Sequence, residues 1–476
     1  MASSIQIFAK ASNICLSCRV RKQKCDRALP KCSRCAAKLK RCDYTAQMNL
    51  SGHAYNDQPA EALVHRRSAG YDLSWRGSIG LLRATHEIHE PSFLKLVYHI
   101  LDLTSVTIPS LLEDYLATIH PWFPVLGKDQ LQATCFNLST SSKPLSSLLL
   151  LVLLLVTRHP CGPEDHPGTS VLYTTLKQLG ATLRPIADSY CDLLQCNLLI
   201  ALYECGQGLT NEAFLTLSSS VALNKLNASF VTQTRSGETN NPDVAQYERI
   251  ILILDRTIFW SDLNRQTPLI CPSQEPIGQG FQSGLPPLAQ NSSDGALERL
   301  RLTSQVALIS GRALQYIYDA KGDGTLPKEY DALARGAGNM VADLMREKES
   351  HSWMFCDGIA MGLSYLVALH QTAVRQTNAP KGSKEYLALR SSRCMAWDMC
   401  KISMDMIKPS NVSQLSFVGM CHVFRAAVII SEAFGDDVTA EELEELLPTL
   451  CWFSERWAVG VEYLTRIKCS IKFLRK

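Results

Sequence analysis

The chain has 476 residues, of which 46% are hydrophobic and 20% are charged. These fractions are close to those of ordinary globular proteins, so they exclude a largely disordered chain. The first sixteen residues lack the basic start and apolar run of a secretory signal. The longest apolar run, 148–156, is too short to cross a membrane. We therefore expect a soluble protein of the cell interior, with no membrane partner.

Basic residues are concentrated at the N-terminal end. Up to residue 42 the chain has eleven Lys and Arg against one acid, Asp26, whereas the net charge of the whole chain is only +3. Such an excess at one end is typical of a segment that binds an anionic partner, and nucleic acid is the leading candidate.

Six of the eighteen cysteines lie in the same segment, where the pattern C-x2-C-x6-C occurs twice. They are Cys15, Cys18, Cys25, Cys32, Cys35 and Cys42. In a reducing compartment such a cluster indicates metal ligands rather than disulfides. Two tetrahedral zinc ions need eight ligand positions, which six thiolates supply only if two of them bridge both ions. A single zinc ion held by the two C-x2-C pairs is the alternative.

This cysteine-rich segment has too few apolar residues for a hydrophobic core. Between the first and last of the six cysteines the other apolar residues are Leu16, Val20, Ala28, Leu29, Ala36, Ala37 and Leu39. A unit of this size depends on bound metal for its stability. We predict an N-terminal arm at 1–14 and a metal-nucleated module at 15–43, with the metal cluster as its core.

The six cysteines, the run RVRKQKCD at 19–26 and Pro30 between the halves resemble the fungal zinc binuclear cluster family of transcription factors. The resemblance implies two zinc ions per chain, bridged by Cys15 and Cys32. It also implies a module with two short helices.

The same resemblance implies how the module binds double-stranded DNA. A helix that begins near Cys18 would point its C-terminal end into the major groove, where Lys22, with Arg21 beside it, reads a CGG triplet. Guanine presents two acceptors in that groove, and lysine or arginine commonly satisfies them. Arg19, Lys24 and the remaining basic residues would contact phosphates, which sets affinity but not sequence preference.

The segment 44–84 is polar and glycine-punctuated, which predicts a flexible linker. It has no apolar heptads sustained over three repeats, so no coiled-coil dimer is predicted. A monomer and a homodimer held through the C-terminal region both stay open.

After residue 85 the apolar spacing is helical nearly throughout, which predicts a large all-α regulatory domain at 85–470. The clearest stretches are 192–205, 302–318, 330–346, 353–374, 385–406, 412–434 and 447–467. The segments 115–124, 247–256 and 268–270 resemble parts of the middle homology region of the same family. That resemblance implies a role in regulation, dimerisation or effector sensing.

No constellation of nucleophile, base and orienting group is visible, so we predict that the protein is not an enzyme and has no catalytic residues. His159, Cys161, Asp165 and His166 lie in a loop rich in proline, which favours a surface loop over a metal site. The adjacent pair Asp255–Arg256 is interpreted as structural. Cysteines on the predicted helices are interpreted as small buried apolar residues.

The segment 436–447 mixes acids with leucines. This pattern is found in activation segments that dock on coactivators. It also fits the start of a packed helix, in which Thr439 is the N-cap and Glu442 closes a capping box, and this second interpretation is favoured.

The sequence thus predicts a nuclear, zinc-dependent, sequence-specific DNA-binding regulator of RNA polymerase II genes. Its expected partners are double-stranded DNA and the transcription machinery or coactivators. The resemblance implies a pathway-specific role, such as control of a secondary-metabolite or nutrient-use gene cluster. The alternative is a chromatin-associated adaptor that binds DNA without sequence preference, or binds protein.

Overall fold

In a computed structural model of the chain, the described residues are 18, 21–27, 32–38, 90–127, 131, 144–158, 170–184, 190–234, 242–262, 267–271, 295–320, 329–347, 356–432 and 438–475. Over these ranges the chain forms fifteen α-helices and no β-strand, which confirms the predicted helical class of the large domain. The chain divides into two compact units, Met1–His65 and Arg66–Lys476. The predicted arm 1–14 and linker 44–84 lie outside the described residues, and the domain boundaries stay predictions.

The first unit contains α1 (Ser33–Ala37). The second unit contains α2 (Glu90–Leu103), α3 (Ile108–Thr118), α4 (Pro144–Thr157), α5 (Val171–Leu183), α6 (Tyr190–Gly206), α7 (Thr210–Thr234), α8 (Pro242–Ser261), α9 (Gly295–Asp319), α10 (Tyr330–Glu347), α11 (Cys356–Thr377), α12 (Lys384–Met406), α13 (Phe417–Glu432), α14 (Ala440–Arg456) and α15 (Val459–Leu474).

Four helices of the second unit are apolar on nearly every side, and they form its interior. Every residue is buried over 148–156 in α4, over 357–373 in α11 and over 417–430 in α13, and all but one are buried over 193–206 in α6. A helix that is hydrophobic all round must be surrounded by others. Accordingly α4 packs against α2, α3, α5 and α6, and α11 packs against α9, α10, α12 and α13. Among the described residues, no helix combines the length and hydropathy needed to span a bilayer.

Two buried arginines donate hydrogen bonds to backbone carbonyls at the C-terminal ends of other helices. Arg456, which is 1% exposed, donates to the carbonyl of Val156 and, over 3.3 Å, to that of Arg158 at the end of α4. Arg393 donates over 3.1 Å to the carbonyl of Ile430 in the last turn of α13. The last carbonyls of a helix lack partners within it and carry negative partial charge, so a guanidinium stabilises them there.

The pair Asp255–Arg256 is structural, as the sequence predicted. The two side chains form a buried ion pair with a 2.5 Å contact, and Arg256 Nε donates to the carbonyl of Ala307 in α9. Asp255 also accepts from the backbone N–H groups of Ile270 and Cys271, at 2.8 and 3.0 Å. This acid therefore holds the segment 267–271 against α8.

The start of α14 confirms the capping box. Thr439 Oγ1 accepts from the N–H of Glu442 over 3.2 Å, and a Glu442 carboxylate oxygen accepts from the N–H of Thr439 over 3.0 Å.

The interpretation of helical cysteines as buried apolar residues is confirmed at Cys196 and Cys400, which are completely buried. Cys394, by contrast, is exposed.

The predicted stretch 447–467 is interrupted in the structure. It spans the end of α14 and most of α15, because Trp457 has an extended backbone with φ −129° and ψ 106°. The Trp457 ring packs 4.7 Å from the Phe417 ring and against Gly206. Tertiary packing at this tryptophan therefore overrides the helical periodicity. The stretch 412–434 is likewise shorter, since α13 begins at Phe417.

Gly206 is the residue whose replacement by alanine should disturb this packing most directly. A Cβ atom there would lie 2.1 Å from Cε3 of Trp457. We expect Gly206→Ala to lower the free energy of unfolding by about 3 kcal/mol, since the indole cannot move without breaking its contacts. Gly336→Ala is the matched control, because its Cβ would meet nothing within 4 Å in α10. That control should raise stability by about 0.5–1 kcal/mol in denaturant unfolding. Equal effects of the two changes would contradict this account.

Two buried histidines are held by the same local arrangement. Ser392 donates its hydroxyl proton to the carbonyl of Leu389 and lies 3.0 Å from Nδ1 of His370. Ser364 likewise donates to the carbonyl of Met361 and lies 3.0 Å from Nδ1 of His422. A serine hydroxyl that donates to its carbonyl accepts from the imidazole, and in that arrangement the histidine carries its proton on Nδ1. Burial lowers the pKa of His370 to about 4 and that of His422 to about 3.

These lowered pKa values predict that acid destabilises the helical unit. Between pH 6.5 and 4 the unfolded chain takes up protons at His370 that the folded chain does not, so stability falls as pH falls through this window. The full loss from His370 is about 3 kcal/mol. His370→Gln should flatten the dependence of unfolding free energy on pH, measured by circular dichroism in denaturant. The control His99→Gln changes an exposed residue and should leave the slope as it is. Identical slopes for the two variants would refute the role of His370.

Candidate metal centre and nucleic-acid interface

Three cysteine sulfurs converge in the first unit. The Sγ atoms of Cys18 and Cys32 lie 3.7 Å apart, and that of Cys35 lies within 4.8 Å of both. These three are the buried residues among those described for this unit, and each is at most 3% exposed. The described part of the unit therefore has cysteines, rather than aliphatic side chains, at its centre.

Cys32 belongs to a second group of metal-type ligands as well. Its sulfur, that of half-buried Cys25 and a carboxylate oxygen of Asp26 all lie within 4.8 Å of one another. One sulfur thus takes part in both clusters.

The donor set fits zinc. Zn²⁺ is bound tetrahedrally by thiolates at about 2.3 Å, which places neighbouring sulfurs about 3.8 Å apart. The 3.7 Å separation of Cys18 and Cys32 matches the edge of such a tetrahedron. In addition, the N–H of Cys35 donates to Cys32 Sγ over 3.4 Å, a contact that favours the negatively charged thiolate.

Lys22 lies in a turn that follows Cys18, whose own backbone is helical. The N–H of Gln23 donates to the carbonyl of Cys18 over 2.9 Å, and Lys22, just before the donor, has φ 50°. A hydrogen bond of this span with a left-handed residue just before the donor is one part of the Schellman motif, in which glycine is usual at the left-handed position. A lysine in that conformation is uncommon, and such residues often mark functional positions. Cys18 itself is helical, but the second predicted helix of the module stays a prediction.

Asp26 connects the two halves of the cysteine pattern. Both of its carboxylate oxygens lie 3.1 Å from the N–H of Ser33, the first residue of α1, and the Ser33 hydroxyl also donates to it. The first N–H groups of a helix lack partners within the helix, and the carboxylate supplies one. In the sequence Asp26 stands out only in the charge balance and the motif, since a contact seven residues away has no periodic signal.

The described basic residues of the unit are all exposed to solvent. They are Arg21, Lys22, Lys24, Arg27, Arg34 and Lys38, and all six are exposed. Of the predicted DNA-contacting residues, the structure thus describes three on the surface. The predicted ligands Cys15 and Cys42, the predicted contact Arg19 and the histidine-containing loop at 159–166 lie outside the described residues.

Comparison with known proteins identifies the cysteine-rich segment. Residues 14–51 match the fungal Zn(2)-Cys(6) binuclear cluster domain, which confirms the resemblance seen in the cysteine spacing and makes this segment a zinc-binding domain. The chain is also 36% identical over 108 residues to Transcription factor BOA15 of Botryotinia fuckeliana (strain B05.10). That match covers 22% of this chain and 59% of the length of the relative. No solved structure matches the chain.

The contact between Asp26 and α1 should influence metal affinity. Because a small metal-nucleated unit folds and binds together, losing a helix-capping bond of about 1 kcal/mol weakens zinc binding about fivefold. We expect this loss for Asp26→Ala in competition with a chromogenic chelator. Ser33→Ala keeps the backbone bond and should lose less, and Lys38→Ala should bind zinc as the unaltered protein does. Unchanged affinity in Asp26→Ala would show that the contact does not support the cluster.

Proposed function

We propose that the protein is a zinc-dependent, sequence-specific DNA-binding regulator of RNA polymerase II transcription that reads CGG-type triplets in the major groove. The observation that carries the proposal is the 3.7 Å approach of two buried cysteine sulfurs, in a segment that matches the zinc cluster domain and whose described lysines and arginines are all exposed. The name of the relative, a transcription factor, supports it.

The proposed metal centre holds two zinc ions through Cys15, Cys18, Cys25, Cys32, Cys35 and Cys42. Zinc supplies no chemistry of reaction here; it draws thiolates together and so replaces a hydrophobic core. The presence of Cys32 in both ligand groups supports its role as one of the bridging thiolates, with Cys15 as the other.

The proposed contacts with DNA follow from charge and position. Between Cys15 and Cys42 the ten basic residues outweigh Asp26, and two zinc ions with six thiolates add only a formal −2, so the module keeps about +7. Lys22, with Arg21, is proposed to meet guanine, since its turn projects from the end of the helical backbone at Cys18. Arg19 and Lys24 are proposed to contact phosphates.

The proposed location and partners in the cell follow from the proposed DNA binding. A protein that reads gene sequences acts in the nucleus, and we place it there. Its helical unit is proposed to contact the transcription machinery or coactivators, and to serve one pathway such as a secondary-metabolite gene cluster. A monomer and a homodimer held through this unit both stay open.

Selection from random duplex DNA tests the function. The zinc-loaded full chain should enrich CGG, and Cys25→Ala should abolish the enrichment because a ligand is lost. Lys22→Ala should remove the triplet preference, whereas Lys38→Ala should weaken binding to all sequences about equally and reduce the salt slope by about 1. Binding is measured by fluorescence anisotropy over a salt series.

The backbone at Lys22 requires its own control. Lys22→Gly relieves the left-handed conformation while removing the cation, so it should lose the triplet preference as Lys22→Ala does. Equal, sequence-blind losses from the Lys22 and Lys38 variants would overturn sequence-specific reading. In that outcome the chromatin-associated adaptor becomes the better description.

A further inference from the structure

One face of α12 is exposed along the length of the helix. The opposite face, which includes Leu389, Trp397 and Cys400, is buried, and the helix packs against α11, α13 and α14. The exposed residues recur at intervals of three and four, which is the spacing of a single helical face. We call this set the outer stripe of α12. It consists of Lys384, Leu387, Ser391, Cys394, Asp398, Ile402 and Asp405.

Two large aliphatic side chains of the outer stripe are open to solvent. Leu387 is 55% exposed and Ile402 is 53% exposed. At a rise of about 1.5 Å per residue they lie about 22 Å apart along the helix axis. Aliphatic surface in contact with water is unfavourable, so a partner that covers both side chains gains free energy from their burial.

The outer stripe is complementary to its own reverse. Its midpoint falls between Cys394 and Met395. Residues at equal distances on either side of that midpoint have matching chemistry: a cation with an anion, one aliphatic side chain with another, and a hydroxyl with a carboxylate. These pairs are Lys384 with Asp405, Leu387 with Ile402 and Ser391 with Asp398. A twofold axis through the midpoint brings each residue of one copy to its counterpart on a second, antiparallel copy.

The charges of the outer stripe favour the antiparallel direction. Lys384 lies at its N-terminal end, whereas Asp398 and Asp405 lie in its C-terminal half. Asp405 makes no ion pair within the part of the chain that the structure describes. Lys384 lies 2.7 Å from Asp331, but both side chains are more than half exposed, so that pair is weak and leaves the ammonium accessible. A parallel copy would instead place lysine beside lysine.

The edge of the outer stripe that faces α14 is also compatible with a second copy. There the antiparallel arrangement brings Arg390 of one copy beside Lys401 of the other. Lys401 is 2.9 Å from Glu442. The hydrogen bond to Glu442 raises the pKa of this lysine, and the charges of Asp398 and Glu445 raise it further. Because acids surround Lys401, its charge does not repel the arginine of the second copy.

We propose that two copies of the chain pair through the outer stripe of α12, antiparallel and related by a twofold axis at its midpoint. Leu387 then packs on Ile402 of the second copy, and Lys384 meets Asp405 of the second copy. Each helix N-terminus, with its positive partial charge, also lies beside a C-terminus. One helix from each copy gives a small interface, so the dimer is weak and depends on concentration. The pairing goes beyond the proposed DNA binding and does not depend on it.

Sedimentation velocity of the full chain tests the pairing over about a hundredfold range of concentration, which suits a weak interface. The unaltered protein should pass from monomer to dimer. Lys384→Glu and Asp405→Lys should each weaken the dimer at least about tenfold, because each brings like charges together at both ends of the stripe. The variant with both changes restores opposite charges and should recover the affinity. An equimolar mixture of the two single variants should form mixed dimers for the same reason.

The matched variants separate contact between copies from effects within one chain. Lys384→Glu also removes the exposed pair with Asp331, but the double variant removes it too, so recovery assigns the effect to the second copy. Lys225→Glu reverses an exposed lysine of α7 and should dimerise as the unaltered protein does. Cys25→Ala, which removes a predicted zinc ligand, should dimerise as well, because the pairing uses the helical unit.

Cross-linking of cysteines tests the register. Cys394 is exposed beside the proposed twofold axis, so this cysteine of one copy lies close to the same cysteine of the other. A short bismaleimide should therefore join two chains, and Cys394→Ser should abolish that product. The control is Cys469→Ser, which removes an exposed cysteine of α15 and should leave the cross-linked dimer.

Three outcomes would overturn the proposal. The first is a chain that stays monomeric over the whole range, which would leave the outer stripe to a different partner. The second is a dimer that the single charge reversals do not weaken, or that the double variant does not recover. The third is a cross-linked dimer that persists in Cys394→Ser, which would place the interface elsewhere. None of these outcomes bears on the selection of CGG by the zinc-binding segment.

Discussion

The 3.7 Å approach of the Cys18 and Cys32 sulfurs is the contact on which the DNA-binding proposal depends. The described part of the first unit buries cysteines and little else, so its backbone cannot be held by the hydrophobic effect in the way that a larger domain is. Thiolates held by zinc would replace that core and would hold together the segments that carry the turn at Lys22 and the start of α1. Because the buried described residues of this segment are cysteines, its described lysines and arginines can all be exposed.

The helical unit differs from the cysteine-rich segment in having a large apolar interior. Its four central helices are buried on nearly every side. A charged side chain that lies against them is therefore removed from water, and such a buried charge needs a hydrogen-bonding or charged partner. Arg456 and Arg393 find theirs in the last carbonyls of α4 and α13, and Asp255 finds two backbone N–H groups and Arg256. These buried contacts join segments up to 300 residues apart in the chain. These polar contacts thus help to fix the positions of the packed helices relative to one another, which non-directional apolar packing alone would define less precisely.

The sequence alone determined the features that depend on local spacing. The cysteine repeat identified the zinc-binding segment, helical periodicity identified the class of the large unit, and Thr439 with Glu442 identified the start of α14, because each signal lies within a few residues. Tertiary structure decided the rest. The extended backbone at Trp457 and the partner of Asp26 arise from contacts between segments that no period in the chain connects. Such contacts exist only once the helices are packed, because burial and close approach, rather than residue order, decide which polar groups meet.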